Sequence, residues 1–384
     1  MIVIAMRMLF RDRGKYFGII MGVTLASMVI TQQGAIFIGI MSRTFAVVTD
    51  MPQARIWVMD PKVQYIDDVK PLQDTELYRV REAAGVDWAV PFYKGMIRAK
   101  LDSGHFQNCN LFGIDDATLI GGPQNIIAGR LDDLRRTDAV IVDEIGARER
   151  LSRTARDGTR VPLKVGDTIE INDHRAVVVG IARATRTFQS QPVIWTTYAR
   201  AMQFAPRERK MLSFVLSAPA PGVSPERACE AITSRTGLAA YSSDQFRWLT
   251  VLYFLKNTGI PINFGIAVGL GLLIGAVITG FMFYNFTIDN LRYFGTLKAM
   301  GASDGRLLAM IVLQALVVGF IGWGLGVGFA AFFGNGMRHS PLAFKIIWQL
   351  LFVSGSAVTV IVVLAAMLSM RRVITLEPAV VFKG

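Results

Sequence analysis

Long runs without a charged residue are the feature that most restricts how this chain can fold. Asp, Glu, Lys and Arg are absent from residues 16–42, 257–288, 307–337 and 346–370. Each run is long enough for a helix of roughly 20 apolar residues, which crosses about 30 Å of hydrocarbon. Roughly two hundred residues of mixed, charged sequence separate the first run from the other three. The pattern predicts one membrane span, a large soluble domain and three further spans.

The placement of basic residues predicts the orientation. A net charge of +12 could suggest nucleic-acid binding, but many of the basic residues lie beside the spans, where Lys and Arg are retained on the cytoplasmic side. A chain with four spans has its N-terminal segment, the turn after the second span and its C-terminal segment on the same side of the membrane. These three segments carry the basic residues Arg7, Arg11, Arg13 and Lys15; Arg292, Lys298 and Arg306; and Arg371, Arg372 and Lys383. Arg338 and Lys345, on the other side, are a mild exception. We expect cytoplasmic termini and an outer domain over 43–256.

The beginning of the chain does not have the pattern of a cleavable signal peptide, because apolar residues precede the basic ones. We expect an amphipathic helix at the membrane surface over residues 1–15, with Leu9 and Phe10 towards lipid. Cys109 and Cys229 both fall in the outer domain, and sequence alone leaves their pairing open.

The outer domain alternates strand-like and helix-like segments, which predicts an α+β fold. Residues 165–181 read as a hairpin that turns at Asn172 and Asp173. A helix over 245–258 leads towards the second span as a stalk, and Pro261 marks a break after it. The other predicted strands are 54–59, 92–101, 107–113, 139–142 and 211–217, and the other predicted helices are 74–84, 144–151 and 225–236.

Small residues within the spans predict close helix packing. Gly18 and Gly22 share a four-residue spacing in the first span, as do Gly322 and Gly326 in the third. Such pairs let helices approach closely, either within one chain or in a dimer. The spans contain no ionisable side chain of the Asp, Glu, Lys or Arg type, which argues against proton-coupled transport.

No arrangement of residues predicts catalysis, a cofactor site or a metal site. His105, His174 and His339 lie in different segments, and no zinc-ligand spacing occurs. A nucleophile elbow of the Gly-x-Ser-x-Gly type is absent. The phosphate-binding string Gly-x-x-x-x-Gly-Lys-[Ser/Thr] is also absent. If ATP powers this protein, a separate polypeptide binds it.

Residues 289–306 form the polar turn between the second and third uncharged runs. Leu291, Phe294, Leu297 and Met300 recur at helical spacing, so a short helix here would have one apolar edge. Gly301 is placed to end that helix. The edge could dock into a groove of a partner or face lipid, and the residues themselves leave both readings open.

Three stretches resemble one family of membrane proteins. Tyr293-Phe-Gly-Thr-Leu-Lys-Ala-Met-Gly-Ala-Ser is similar to the cytoplasmic loop after the second span of FtsX-like, MacB-type ABC permeases, and is most similar to their DevC-type branch. Ala54-Arg-Ile-Trp-Val-Met-Asp-Pro resembles the opening strand of the DevC-type outer domain. The hairpin at 165–181 resembles that of the MacB-type periplasmic core domain, and the order of spans also agrees.

The resemblance implies a homodimeric type VII ABC permease in the bacterial inner membrane. Two copies of a separate ATPase, which holds ATP and Mg²⁺, would dock on a coupling helix at 289–301. Phe294 and Leu297 would fill a groove of the ATPase and Lys298 would pair with an acidic rim. The residues implied in coupling are Tyr293, Phe294, Gly295, Thr296, Leu297, Lys298, Ala299, Met300 and Gly301.

The implied function is ATP-driven export of an amphiphilic, lipid-like or other hydrophobic substrate, with a membrane-fusion-type adaptor and a TolC-like outer-membrane channel. The chain itself would be non-catalytic. One alternative is an FtsX-like mechanotransmitter that regulates a periplasmic enzyme without transport, and another is a membrane-anchored periplasmic enzyme without an ATPase. The expected segments are an amphipathic N-terminal helix (1–15), spans at 16–42, 262–288, 307–335 and 346–370, a periplasmic domain (43–244), a stalk (245–261), a coupling segment (289–306), a short periplasmic loop (336–345) and a cytoplasmic C-terminus (371–384).

Overall fold

The structure is a computed structural model that describes residues 2–11, 13–101, 104–154, 159–206, 211–337 and 340–374. The chain separates into two compact units. One unit combines Met1–Ile40 with Gly259–Gly384, and the other is Met41–Thr258.

The elements are numbered in chain order. The helices are α1 (Ile2–Arg11), α2 (Arg13–Thr44), α3 (Ala46–Asp50), α4 (Thr75–Arg81), α5 (Glu144–Arg148), α6 (Tyr198–Phe204), α7 (Pro225–Thr236), α8 (Ser243–Asn257), α9 (Ile260–Asp289), α10 (Leu291–Ala299), α11 (Asp304–Gly336) and α12 (Trp348–Ile374), with a 3₁₀ turn at Leu131–Arg135. The strands are β1 (Ile56–Met59), β2 (Val86–Lys100), β3 (Phe106–Ile114), β4 (Asn125–Gly129), β5 (Ala139–Asp143), β6 (Arg153–Thr154), β7 (Arg160–Val161), β8 (Thr168–Ile171), β9 (His174–Arg183), β10 (Val193–Thr197), β11 (Phe214–Pro219) and β12 (Ala239–Ser242).

The first unit is a bundle of long apolar helices. Among the described residues, four helical segments are long and apolar enough to span a membrane: Gly14–Thr44, Ile260–Asp289, Asp304–Gly336 and Trp348–Met370. The predicted fold class, one span, a large α+β domain and three further spans, is confirmed.

Helix α1 packs against α11 within this bundle. Leu9 has no exposed surface and belongs to the same core cluster as Ile19, Phe283 and Met310. The prediction that Leu9 faces lipid is therefore wrong, because the apolar face of α1 meets the chain's own helices. Phe10 is 48% exposed and lies edge-on to Tyr16 with ring centroids 4.9 Å apart.

The second unit is built on a mixed β-sheet. Its described strands run in the order β12-β1-β11-β2-β3-β10-β5-β9-β4, and β8 pairs with both β2 and β9. The β3–β10 and β5–β9 pairs are parallel, whereas the other pairs in this sheet are antiparallel. Both faces of β1 are buried, since Ile56 and Val58 join one core cluster and Trp57 and Met59 join another.

Local sequence signals explain several elements of this unit. The predicted hairpin is confirmed as β8 and β9, joined by Asn172 and Asp173 with φ values of 47° and 64°. Two positive φ angles are typical of the tight turns that suit the twist of a hairpin. Helix α7 has the predicted bounds because Ser224 caps its first turn and Gly237 ends it at φ 75°.

The predicted stalk is helix α8, which belongs to the second unit, called the outer unit below after its predicted location. Ser242 and Gln245 form a capping box at its start. Phe246 is fully buried, and its ring centroid lies 5.6 Å from that of Trp57 on β1. The helix ends at Asn257, and α9 begins at Ile260 with Pro261 in its first turn.

Both cysteines are free and buried, so they do not form a disulfide in this structure. Cys109 lies in the core cluster around Tyr93 and Leu111, and Cys229 lies in the cluster around Val80 and Ile232.

Candidate coupling site

Helix α10 forms because the chain breaks and restarts at Asn290. The Asn290 side chain donates a hydrogen bond from Nδ2 to the Phe286 carbonyl at 2.8 Å, which closes the end of α9. Its own carbonyl then accepts the backbone N–H groups of Tyr293 and Phe294 at 3.0 and 3.1 Å. A single residue therefore ends one helix and begins the next.

Gly301 ends α10 in the left-handed conformation, with φ at 91°. Its N–H donates to the Lys298 carbonyl, and the Ala302 N–H donates to the Leu297 carbonyl, both at 3.0 Å. This pair of bonds is a Schellman motif, which glycine favours because it has no Cβ to clash at positive φ. Leu297 and Ala302, the two residues whose backbones the second of these bonds joins, both pack on the bundle core. The predicted helix end at Gly301 is confirmed.

The large apolar side chains of α10 are turned towards the chain's own bundle. Phe294 has no exposed surface and belongs to the core cluster that contains Phe286, Leu307 and Met310. Leu291 and Leu297 are half-buried against the same cluster. The prediction that Phe294 inserts into a groove of a partner is therefore wrong: the side chain has no accessible surface to offer. Three of the four residues of the predicted apolar edge, Leu291, Phe294 and Leu297, therefore pack on the chain's own bundle, whereas Met300 is exposed.

The opposite side of α10 is exposed and mixed in character. Tyr293 is 43% exposed and Met300 is 71% exposed. With about 100° between successive residues, the exposed residues fall within one third of the helix circumference. This exposed arc consists of Arg292, Tyr293, Thr296, Ala299 and Met300.

The charges around the turn are partly neutralised within the chain. Lys298 Nζ lies 3.0 Å from Asp304 Oδ1, at the start of α11. Lys15 pairs with Asp289 at the end of α9. Arg292 and Arg306 are exposed, and neither forms an ion pair with another described residue. An acidic partner surface would therefore meet these two arginines, whereas the predicted Lys298 already has an acidic neighbour.

The predicted glycine pairs line helix contacts inside the bundle. A Cβ on Gly18 would lie 3.2 Å from Met282 Sδ, and one on Gly22 would lie 2.7 Å from Ile278 Cγ2, so both face α9. A Cβ on Gly322 would lie 2.6 Å from Val23 Cγ1 of α2. One on Gly326 would lie 2.5 Å from Ser27 Cβ of the same helix. The first span therefore packs between the second and the third through these four glycines. A dimer contact would use another surface.

The chemistry of the turn suits protein contact. Among the described residues, no group of three or more His, Cys, Asp or Glu side chains could hold a metal ion. The exposed arc combines an aromatic ring, a thioether and a guanidinium, and residues of these types are enriched at protein interfaces. The sequence identified the segment and the residue at which the helix ends. It also predicted that Phe294 and Leu297 would face a partner, whereas both side chains pack on the bundle.

Two family models match this chain. The model described as "MacB-like periplasmic core domain" matches residues 17–235. The model described as "FtsX-like permease C-terminal" matches residues 265–378, which include α10.

Curated relatives and solved structures extend the comparison. Two uncharacterized ABC transporter permeases, from Mycobacterium tuberculosis strains CDC 1551 and H37Rv, are each 23% identical over 316 residues, covering 82% of this chain and 80% of the relative. The periplasmic region of MacB from Actinobacillus actinomycetemcomitans aligns with a TM-score of 0.38 and 14% identity, covering 55% of this chain and 96% of that structure. The extracellular domain of the noncanonic ABC-type transporter YknZ from Gram-positive bacteria aligns with a TM-score of 0.34 and 12% identity, covering 49% and 97%.

Proposed function

Because the chain belongs to the family of ABC transporter permeases that combine an FtsX-like C-terminal part with a MacB-like periplasmic core domain, we propose that it is the membrane subunit of an ATP-driven exporter. In this proposal α10 receives the motion of a separate ATPase subunit. The absence of a phosphate-binding string from the sequence supports the assignment of nucleotide chemistry to another chain.

The observation that carries the proposal is the way α10 is held. Phe294 anchors it in the core of the spans, and Gly301 fixes its end. A helix anchored in this way moves with the helices beneath it, so a push on Tyr293 or Met300 is passed to the bundle. A flexible loop at the same place would absorb the push by bending.

The charge of the turn indicates the kind of surface that fits it. Arg292 lies in the exposed arc itself, and Arg306 is an exposed residue in the first turn of α11. A partner groove with an apolar floor and an acidic margin complements this arrangement. The docking surface that we propose is therefore the exposed arc of α10, with Arg306 as a further positive charge in the following helix.

We further propose that the substrate is an amphiphilic or other hydrophobic molecule that the outer unit handles. The central parts of the spans contain no Asp, Glu, Lys or Arg that could relay protons across the membrane, which supports drive by ATP. Export would use a periplasmic adaptor and an outer-membrane channel, with the permease in the inner membrane and both termini in the cytoplasm. Two permease copies would associate through lipid-exposed faces of the spans, since Gly18, Gly22, Gly322 and Gly326 are occupied within one chain.

Charge substitutions on the exposed arc test the coupling assignment. We expect Tyr293→Asp and Met300→Asp to remove copurification of an ATPase subunit from native membranes, because each places a negative charge on the proposed contact. Met337→Asp is the matched control: Met337 is also an exposed methionine, 39% exposed, and it follows the far end of α11.

Wild-type amounts of copurifying ATPase in both arc variants would refute the docking surface. ATPase docking and stimulated hydrolysis without movement of any amphiphile, in a reconstituted assembly, would refute export and support mechanotransmission. Copurification therefore tests the docking of the ATPase, and the reconstituted assembly tests whether that docking drives export.

A further inference from the structure

A second candidate site lies in the outer unit, beside the exposed part of the β2–β3 pair. A cavity of about 460 Å³ opens there between the strands, the segment after β1 and the residues before β11. Its polar lining includes Asp67, Lys94 and Asn110, and its apolar lining includes Val69, Met96 and Met211. No element of the coupling site takes part in it.

A buried ammonium group is the most unusual feature of the cavity. The Lys94 side chain is only 6% exposed, and its Nζ lies 2.5 Å from Asp67 Oδ1. The Lys94 backbone is fixed by Ser213, whose Oγ accepts from the Lys94 N–H at 2.9 Å and donates to its carbonyl at 3.2 Å. Among the described residues, Asp67 is the only acceptor for the ammonium, although an ammonium has three N–H donors. Two donors therefore remain for another molecule.

Asn110 adds a second unused polar group. The residue is only 8% exposed and lines the cavity from β3, opposite Met96 on β2. Its backbone N–H donates to the Pro192 carbonyl, but its side-chain amide makes no hydrogen bond with any described residue. Because the residue as a whole is more than nine-tenths buried, only its amide end reaches the cavity, where it can hydrogen-bond to a ligand.

The charge balance selects the kind of head group that fits. Asp67 neutralises Lys94 at short range, so a ligand with a full charge of its own would be buried without a counter-ion. The groups without a partner are two N–H donors of the Lys94 ammonium and the side-chain amide of Asn110. Their N–H groups can donate to oxygen acceptors of a ligand. The methionines at the mouth, each 38% exposed, give an adaptable apolar surface for a hydrocarbon chain.

We propose that this cavity binds a single-chain amphiphile whose head group is uncharged and rich in oxygen acceptors. Hydroxyl, ester or ether oxygens of the head group accept from Lys94 and Asn110, and the chain lies along Met96 and Met211. This inference deepens the proposed export function. The biological role of the bound amphiphile rests on that function, whereas its binding to the cavity does not.

One residue of the cavity wall, Tyr65, packs against the stalk helix α8. Tyr65 lines the cavity and stacks on Tyr253 of α8, with ring centroids 4.2 Å apart and 17° between the planes. Phe254 lies edge-on to Tyr65 at 5.6 Å. A movement of α8 against the sheet therefore changes the shape of the cavity, which links the site to the helix that leads into the second span.

Binding is tested on the full chain held in amphipol, with ¹³C-methyl-methionine NMR and no ATPase present. The Met96 and Met211 signals are assigned from Met96→Leu and Met211→Leu. The probe is 1-octanoylglycerol, and octyltrimethylammonium is the matched probe with the same chain length and no acceptor oxygen. We expect saturable shifts of both methionine signals with 1-octanoylglycerol only.

Two variants locate the head group. The double variant Lys94→Met with Asp67→Asn removes the ion pair without leaving an orphan charge, and we expect it to weaken 1-octanoylglycerol binding at least tenfold. Asn110→Leu is expected to weaken it severalfold. Lys100→Met is the control, since Lys100 lies on the same strand with its side chain 44% exposed.

Equal shifts from octyltrimethylammonium, or unchanged affinity in both cavity variants, would overturn the proposal. Failure here with intact ATPase docking would leave the proposed function standing. Binding that persists while the arc variants show no effect on the ATPase would instead remove only the coupling assignment.

Discussion

Phe294 is the residue at which anchoring and docking can be separated most clearly. It is fully buried among the side chains of the bundle, whereas its neighbour Tyr293 is 43% exposed. Truncating a buried phenylalanine to alanine costs about 3–5 kcal/mol, because the cavity fills only partly. A surface substitution typically changes stability by less than about 0.5 kcal/mol. Phe294→Ala should therefore shift the folding equilibrium by more than about 100-fold, and Tyr293→Ala by only a few-fold.

The assay is unfolding of the purified chain by increasing mole fraction of SDS in mixed micelles, followed by circular dichroism. ATPase copurification is measured on the same two variants. We expect Phe294→Ala to unfold at a clearly lower SDS fraction, and Tyr293→Ala to unfold like the wild type but retain less ATPase. The reasoning is refuted if Tyr293→Ala is the destabilised variant, or if Phe294→Ala is as stable as wild type and yet loses the ATPase.

Aspartate at position 294 would give a less informative result. It would place a carboxylate in an apolar cluster without a partner, and the expected outcome is misfolding of the turn. Loss of transport in that variant would therefore report on the core of the bundle. Tyr293 and Met300 are the positions at which an added charge reports on docking.

Further substitutions test the helix contacts, the cap and the buried thiols. Gly326→Leu should destabilise the bundle in SDS unfolding, because a Cβ would lie 2.5 Å from Ser27 Cβ, whereas Gly328→Leu has open space around it and should not. Gly301→Ala should cost about 1 kcal/mol in the same assay owing to its positive φ, and Gly305→Ala, which has neither positive φ nor a close neighbour, should cost less. Burial, with Glu226 and Glu230 nearby, raises the pKa of Cys229 to about 11, so at pH 9 only about 1% of this thiol is ionised. Iodoacetamide labelling followed by mass spectrometry should show slow modification of Cys229 at pH 9 in the folded chain and fast modification after denaturation; equal rates would contradict the buried placement.

The membrane part of the fold is readable from the sequence because the bilayer allows few solutions. Uncharged runs of sufficient length must become spanning helices, and the four candidate spans lie where those runs are. The hairpin at Asn172 and Asp173 was equally accessible, since its turn residues tolerate positive φ. These predictions rest on local chemistry alone.

The orientation of α10 could not be read in the same way. Periodicity reveals that Leu291, Phe294 and Leu297 share one side of the helix, but the body that covers that side is a tertiary property. Leu9 illustrates the same point, because an amphipathic helix at a membrane surface can bury its apolar face in protein as well as in lipid. The cavity at Lys94 was missed because its groups come from segments far apart in the sequence. No spacing rule brings Asp67, Lys94 and Asn110 together.

The two covalent connections between the units differ in helical continuity. On one side α2 continues as a helix through Ile40 and Met41, where the units divide. On the other side the helical path is interrupted at Thr258, which has extended backbone angles of φ −126° and ψ 154°. Phe246 is buried against the sheet, which fixes α8 to the second unit. The chain therefore leaves the first span through an unbroken helix and reaches the second span through a break in the helical path.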